Sequence, residues 1–332
     1  MSPPAARARG LDRRASISLV VPVFNAEATL TELVTRASAV LPSIAERYEI
    51  VLVNDGSVDR SWSIVEALAD RFAFVVGINL MRNYGQHNAL LCGVRAATGE
   101  LVATIDDDLQ NPPEELPALV TKLGEGYDVV YGTPQHPRHG FLRGMASWIT
   151  KLALSSVMGA ETARYVSPFR VFRAQVRDAF AGFRSPFISI DILLTWGTTR
   201  FAAVPVRHEA RAEGASNYTW GKLVTHAVNM VTGFSTMPLQ FASLMGFSFT
   251  LVGFGVLAFV VGRYFIQGST VPGFPFLASI MAIFFGVEFF ALGVIGEYLA
   301  RMHFRTLEQP PYVIRERAAG AQLAAADSVR PV

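Results

Sequence analysis

From Phe241 to Gly262 the chain carries no charged residue. As a helix this run of about 22 residues is ~33 Å long, enough to cross the hydrocarbon core of a bilayer. A second run, Phe274 to Ile295, is interrupted only by Glu288. A short Gly/Pro/Thr segment separates the two, so together they read as a membrane hairpin. The first run has no polar face, which argues against a buried helix of a water-soluble core. Transmembrane helices are expected over 239–266 and 274–300. Lys222 precedes the hairpin and Arg301, Arg305, Arg315 and Arg317 follow it, whereas its loop has only Arg263 at its edge. The positive-inside rule then puts both flanks on the cytoplasmic side of the cell (inner) membrane, as a multi-pass protein. Glu288 falls mid-membrane, where an ionisable group is a functional candidate or a protonated partner of a neighbouring helix or subunit. Glu297 is expected to pair with an arginine.

The remaining length is enough for one sizeable domain. Of the 332 residues 17% are charged and 51% are apolar, and the depletion of charge is concentrated in the two runs. This composition excludes a disordered chain, a collagen and a coiled coil. A single cysteine, Cys92, excludes an internal disulfide and a cysteine-based zinc site. A net charge of +2 gives no reason to expect nucleic acid as a partner. The apolar stretch Ile17 to Phe24 is too short for a signal peptide. Residues 1–14 read as an N-terminal tail, 15–218 as a cytoplasmic catalytic domain, 219–238 as an amphipathic helix on the membrane surface, and 301–332 as a cytoplasmic tail.

Within 15–218, short runs rich in β-branched residues begin at Ile17, Glu49, Phe74 and Leu101, with helical periods near 28–41, 60–71 and 86–97. Such alternation specifies an α/β fold with a mostly parallel sheet covered on both faces. Open parallel sheets bind ligands outside the carboxyl ends of their strands. Asn25 follows the first strand, Asp55 the second, Arg82 and Asn83 the third, and Asp106 and Asp108 the fourth, so all collect on one rim. Three adjacent aspartates, Asp106, Asp107 and Asp108, repel one another unless a cation is present. Asp106 and Asp108 point to the same side if the segment is extended. They suit a hard divalent ion, Mg²⁺ or Mn²⁺, with Gln110 as a third oxygen and phosphate oxygens completing the shell. Neither a Walker loop nor a dinucleotide fingerprint is present. An aspartate-held metal beside a nucleotide diphosphate suits departure of that diphosphate, as in sugar transfer from a nucleotide sugar.

The motifs Val20-Val-Pro-Val-Phe-Asn25, Val53-Asn-Asp-Gly-Ser-Val-Asp59, Arg82-Asn-Tyr-Gly-Gln-His87 and Asp106-Asp-Asp-Leu-Gln-Asn-Pro-Pro-Glu114 resemble the family 2 glycosyltransferases of GT-A fold, and within them the polyprenyl-phosphate branch. Arg207-His-Glu-Ala-Arg211 with Ser216, and Gly296-Glu-Tyr-Leu-Ala-Arg301 with Pro310-Pro-Tyr312, extend the likeness over about 15–315. The resemblance implies a GT-A Rossmann-like domain with a C-terminal transmembrane hairpin. It implies an inverting enzyme moving a sugar from a UDP- or GDP-sugar to a polyprenyl (undecaprenyl) monophosphate, with a homo-oligomer as one possible assembly. It assigns the metal to Asp106, Asp108 and Gln110, and the nucleotide to Pro22, Phe24, Asp55 and Asp107. Phosphates of donor and acceptor fall to Arg207, Arg211 and Ser216, which guanidinium forks suit. Asp191, a carboxylate inside an apolar run, is the candidate base. The chain departs from the family pattern at Phe24-Asn25-Ala26, Asp107, Asn217 and 165–170. Two rival readings are a processive polysaccharide synthase, whose Gln-x-x-Arg-Trp element is absent, and a non-catalytic membrane scaffold that binds nucleotide sugar.

Overall fold

A computed structural model describes residues 15–134, 165–185, 189–209, 237–267, 273–307 and 309–319. The chain divides into two units: a sheet unit holding the described residues up to 209 together with 309–319, and a helical unit holding 237–307.

The sheet unit begins as the hydrophobic pattern requires. The strands are β1 (Ile17–Val23), β2 (Tyr48–Asn54), β3 (Val75–Leu80) and β4 (Leu101–Thr104). They alternate with helices α1 (Leu30–Ile44), α2 (Ser61–Arg71) and α3 (Gln86–Ala96). Then follow α4 (Leu116–Gly124), β5 (Val129–Pro134), β6 (Arg170–Arg173), α5 (Ile190–Gly197) and β7 (Phe201–Val206). Ile314–Ala319 forms β8. The sheet order is β7-β5-β6-β4-β1-β2-β3-β8. β1 pairs in parallel with β2 and β4, β2 with β3, and β5 with β7, while β6 and β8 run antiparallel to their neighbours.

Along β1 the period-2 alternation decides which face each side chain enters. Leu19, Val21 and Val23 pack with Leu33 and Val34 of α1, Val65 of α2 and Leu119 of α4. Val20 points the other way, into a core with Leu90, Leu91 and Val94 of α3 and Ile190 and Leu193 of α5. Because both faces are buried, the strands read as nearly continuous apolar runs. Helices on both faces leave the strand ends as the open rim.

β8 lies where the sequence reading has only a tail. Ile78 is in register with Arg317 and Asn79 with Glu316. Asn79 Nδ2 donates to Glu316 Oε1 at 2.8 Å, and Met81 N to Val313 O at 2.9 Å. A strand of composition IRERAA has few β-branched residues, and its charges fit an exposed sheet edge.

The helical unit consists of α6 (Met237–Gln267) and α7 (Phe274–Thr306). Both contain a span long and apolar enough to cross a membrane, Pro238–Arg263 and Ile283–Ala300. The rings of Phe249 and Phe284 meet edge to face at 5.9 Å, and Phe284 also packs on Gly253, which has no side chain to hold it off. Glu288 is exposed on α7. All of the surface helix expected over 219–238 except Met237 and Pro238, which begin α6, lies outside the described residues.

Candidate active site

The rim is assembled from the loops that leave β1 to β4. The chain turns sharply after β1 because Asn25 takes a left-handed conformation, φ 53°, which asparagine tolerates better than most residues. Three hydrogen bonds from two loops fix this turn: Phe24 N donates to Asp107 Oδ2 at 2.9 Å, Asn25 N to Ser57 Oγ at 3.0 Å, and Val58 N to Asn25 Oδ1 at 2.9 Å. The Phe24 ring is 46% exposed and so available to a ligand, whereas Pro22 is buried in β1 opposite Val53.

Asp55 follows β2 and is buried. Its two oxygens accept from Tyr84 N at 2.7 Å and Gly85 N at 2.9 Å, tying the β2 loop to the β3 loop. Burial pushes its carboxyl up to about 6, against the pull of the two N–H groups. Gly56 sits at φ +66°, and a Cβ there would stand 2.5 Å from Asn83 N. Arg82 lies over the Tyr84 ring at 4.6 Å.

β4 ends at Thr104, and the aspartates stand in a turn rather than in an extended segment. Each carboxylate there has a partner of its own. Asp106 Oδ1 accepts from Gln86 Nε2 at 2.6 Å, Asp107 turns back to Phe24, and Asp108 Oδ1 accepts from Gln110 N at 3.1 Å. Leu109, at φ 59°, reverses the chain. Burial, then the charges of Asp108 and Asp107, push Asp106 up to about 7. A cation relieves that like-charge cost. Among the described residues no group of three or more His, Cys, Asp or Glu forms a ready-made metal cage. Two carboxylates are nevertheless what Mg²⁺ or Mn²⁺ needs when substrate phosphates supply other oxygens, so the donor set fits such an ion.

Asp191, in the first turn of α5, lies away from open solvent. It is 5% exposed, and its Oδ1 takes the Arg170 guanidinium and, at 3.1 Å, the Tyr131 hydroxyl. Arg170 Nε also donates to Thr104 Oγ1 at 3.1 Å, and the guanidinium lowers the carboxyl of Asp106. Arg207 donates through Nε to Glu115 Oε1 at 2.6 Å, which brings it beside the loop after the aspartates. Arg211 and Ser216 lie outside the described residues.

Gln86 and Arg170 were not among the residues singled out from the sequence. Gln86 lies inside the Arg82–His87 motif, and Arg170 is a lone charge in the apolar stretch Phe169-Arg-Val-Phe172. Both signals were available.

Strand-end carboxylates beside an exposed aromatic ring, on a sheet covered by helices on both faces, are what a sugar-transferring enzyme of GT-A type presents. Residues 18–188 match Glycosyl transferase family 2, and the chain belongs to that family. It is 37% identical over 309 residues to the undecaprenyl-phosphate 4-deoxy-4-formamido-L-arabinose transferase of Shewanella sediminis, covering 92% of this chain and 93% of that one. The protein of the same name from Enterobacter sp. (strain 638) is 35% identical over 90% of this chain and 92% of that one. Glucosyl-3-phosphoglycerate synthase of Mycobacterium tuberculosis, solved with Mn²⁺, UDP-glucose and phosphoglyceric acid, shares the fold at a TM-score of 0.50. That likeness has 18% identity and covers 70% of this chain and 85% of that one. The chain is therefore a glycosyltransferase that carries two helices long and apolar enough to cross a membrane.

Proposed function

We propose that the protein transfers a sugar from a nucleotide-diphosphate sugar to undecaprenyl phosphate at the cytoplasmic face of the inner membrane, with inversion at the anomeric carbon. The observation that carries the reading is the juxtaposition of Asp106 and Asp108 with the Phe24 and Asp55 loops on one rim. The names and coverage of the two curated relatives support the lipid acceptor.

In this reading Phe24 and the Asp55 and Asp107 loops form the nucleotide pocket, and Pro22, buried in β1, shapes the strand end that carries Phe24. The Phe24 ring offers a stacking face, and Asp107 holds the Phe24 backbone so that the ring keeps its place. Asp106, Asp108 and Gln110 hold Mg²⁺ or Mn²⁺, which when bound stabilises the negative charge of the leaving diphosphate. Arg207, Arg211 and Ser216 receive phosphates. An oxygen of the acceptor phosphate forms the new bond to the anomeric carbon. The bond to the donor diphosphate breaks, and its electron pair leaves with the diphosphate. That attacking oxygen is already anionic near neutral pH, so it needs positioning more than a base. Asp191, already serving Arg170, fits the part of a buried counter-ion.

Connectivity supports placing both flanks on one side. β8, after the second span, pairs with β3, formed before the first. A chain that must return to the same sheet crosses an even number of times. The positive flanks favour the cytoplasm.

The test supplies membranes containing the protein with undecaprenyl phosphate, labelled UDP- and GDP-sugars and Mg²⁺ or Mn²⁺. The sugar named in the relatives heads the panel. A chelator-sensitive, lipid-extractable product is expected, and Asp108→Ala lowers its rate by at least about 10³-fold while remaining in the membrane. Full activity of that variant, or transfer unaffected by chelator, overturns the metal assignment.

A further inference from the structure

The segment that grips Asp55 is itself held from behind. β3 ends at Leu80, and in the loop that follows the N–H groups of Tyr84 and Gly85 take both oxygens of Asp55. The same loop delivers Gln86 to Asp106. Met81 opens the loop, and its backbone is fixed at both ends by the chain around β8. Its N–H donates to Val313 O at 2.9 Å, and its carbonyl accepts from Arg315 Nη2 at 3.0 Å. β8 also reaches Asp55 from the β2 side. Glu316 Oε1 accepts from Asn79 Nδ2, and Asn79 Oδ1 accepts from Asn54 Nδ2, each at 2.8 Å. Asn54, the residue before Asp55, is buried, as is Asn79. The acid and the loop that grips it are thus both tied to one strand, which the chain forms only after its second apolar span.

Closing the sheet edge does not require the arginine. Backbone pairing of β8 with β3 already covers that edge. The register shows what Arg315 adds. Asn79 is opposite Glu316 but Leu80 is opposite Ile314, so Arg315 is the extra residue of a β-bulge. A bulge bends its strand and re-aims a side chain, and bulges gather beside active sites. This one sends a guanidinium past the end of β3 to the Met81 carbonyl. The bond is exposed to water, so it contributes little to folding. What it fixes is the peptide that joins Met81 to Arg82. The loop beyond has little room for error, because Gly56 backs directly onto Arg82 and Asn83.

We propose that Arg315 is a positioning residue for the donor nucleotide: from the bulge in β8 it sets the β3 loop against Asp55. This rests on the reading of the Phe24 and Asp55 loops as the nucleotide pocket. Arg315 acts through the loop it holds. The C-terminal strand then belongs to the donor site as well as to the sheet edge.

The test uses full-length protein in lipid nanodiscs. Isothermal titration with UDP and with GDP, in the presence of Mn²⁺, reads nucleotide affinity, and initial rates give the donor and acceptor KM separately. Arg315→Met keeps a long side chain but donates nothing to Met81 O. It weakens binding of the preferred nucleotide about three- to tenfold and raises the donor KM by the same factor, while the acceptor KM and the thermal midpoint stay unchanged. Arg315→Lys keeps a donor, and a single carbonyl needs no fork, so its affinity stays within about twofold of wild type. Arg317→Met removes the same charge from the same strand and also stays within about twofold. A loss below about threefold in Arg315→Met overturns the proposal, as do equal rises in the two KM values. An equal loss in Arg317→Met overturns it too, by making long-range charge the cause, and so does an equal loss in Arg315→Lys. Phe24→Ala is measured alongside. If it weakens nucleotide binding while Arg315→Met does not, the pocket stands and the positioning role alone fails. If neither variant has an effect, the pocket reading fails and the positioning role falls with it.

Discussion

Arg170 and Asp191 pair inside the protein, with 2% and 7% of their side chains exposed, directly behind the strand that delivers Asp106. Removing one partner of such a pair leaves the other charged and buried, at a cost of about 3–5 kcal/mol. Asp191→Ala should therefore lower the apparent melting temperature by about 10 °C. Asp191→Asn keeps an oxygen for Arg170 and Tyr131 and should hold kcat within about tenfold of wild type. A general base would show the opposite pattern, with little change in melting and a kcat loss of about 10²- to 10⁴-fold for both variants. Melting curves and initial rates on the same preparations decide between them.

Gly56 lies where the β2 and β3 loops pack closely. A methyl group there meets Asn83 N at 2.5 Å and the Arg82 carbonyl carbon at 2.6 Å, both backbone atoms that cannot swing aside. The φ of +66° adds about 1–2 kcal/mol for any side chain. Gly56→Ala should push the Tyr84–Gly85 segment off Asp55 and weaken UDP binding at least about tenfold, while Gly124→Ala, with open space around its Cβ position, should leave binding unchanged. Isothermal titration with UDP reads both.

Asp55 and Asp106 titrate at about 6 and about 7, above their ordinary value of 3.8. Between the unfolded and folded values the folded protein holds protons that the unfolded chain has released. Stability therefore falls as pH rises from about 4 to about 7. The lowered carboxyls of Asp59 and Glu114 act below this window. Metal-free protein should melt higher at pH 5 than at pH 8. Mn²⁺ should raise the midpoint more at pH 8, because its ligands must be ionised. Asp55→Asn should flatten the metal-free profile between about pH 4 and 6. A metal-free midpoint that rises from pH 5 to pH 8 contradicts this ordering.

The legible part of the molecule was its local part. The runs at Ile17 and Glu49 became β1 and β2 because β-branched residues fill a sheet buried on both faces, and Asn25, Asp55 and Asp106 fell on the rim because parallel strands end there together. What could not be read was pairing across long separations. Arg170 meets Asp191 because β6 runs back beside β4, Arg36 meets Glu209 across 173 positions, and Asn79 meets Glu316 across 237. No local pattern encodes such contacts. The expectation for Asp106 and Asp108 was framed for an extended segment, whereas the chain turns at Asp107 and Asp108 and reverses at Leu109, in a left-handed conformation.

The pairing of β8 with β3 also fixes which parts of the chain share a compartment. Cys92 is buried, so single cysteines introduced elsewhere report cleanly. Glu66→Cys on α2 and Arg315→Cys on β8 replace exposed side chains of the sheet unit, whereas Ser269→Cys falls between the two spans. A membrane-impermeant maleimide should label positions 66 and 315 in inverted vesicles, and position 269 in intact spheroplasts. Labelling of 66 and 315 on opposite sides would refute the hairpin. The contact itself is open to a separate measurement. Glu316→Ala leaves Asn79 Nδ2 without its acceptor, while Asn79 Oδ1 continues to accept from Asn54 Nδ2. A loss of about 1–3 kcal/mol is expected where that donor stays buried. Deleting residues 314–332 removes the whole strand and bares the backbone of β3, an edge of Val, Ile and Leu without a charge. That variant should aggregate on detergent extraction, whereas Glu316→Ala should remain monodisperse by size-exclusion chromatography. Equal behaviour of the two would mean that β8 does not protect the sheet.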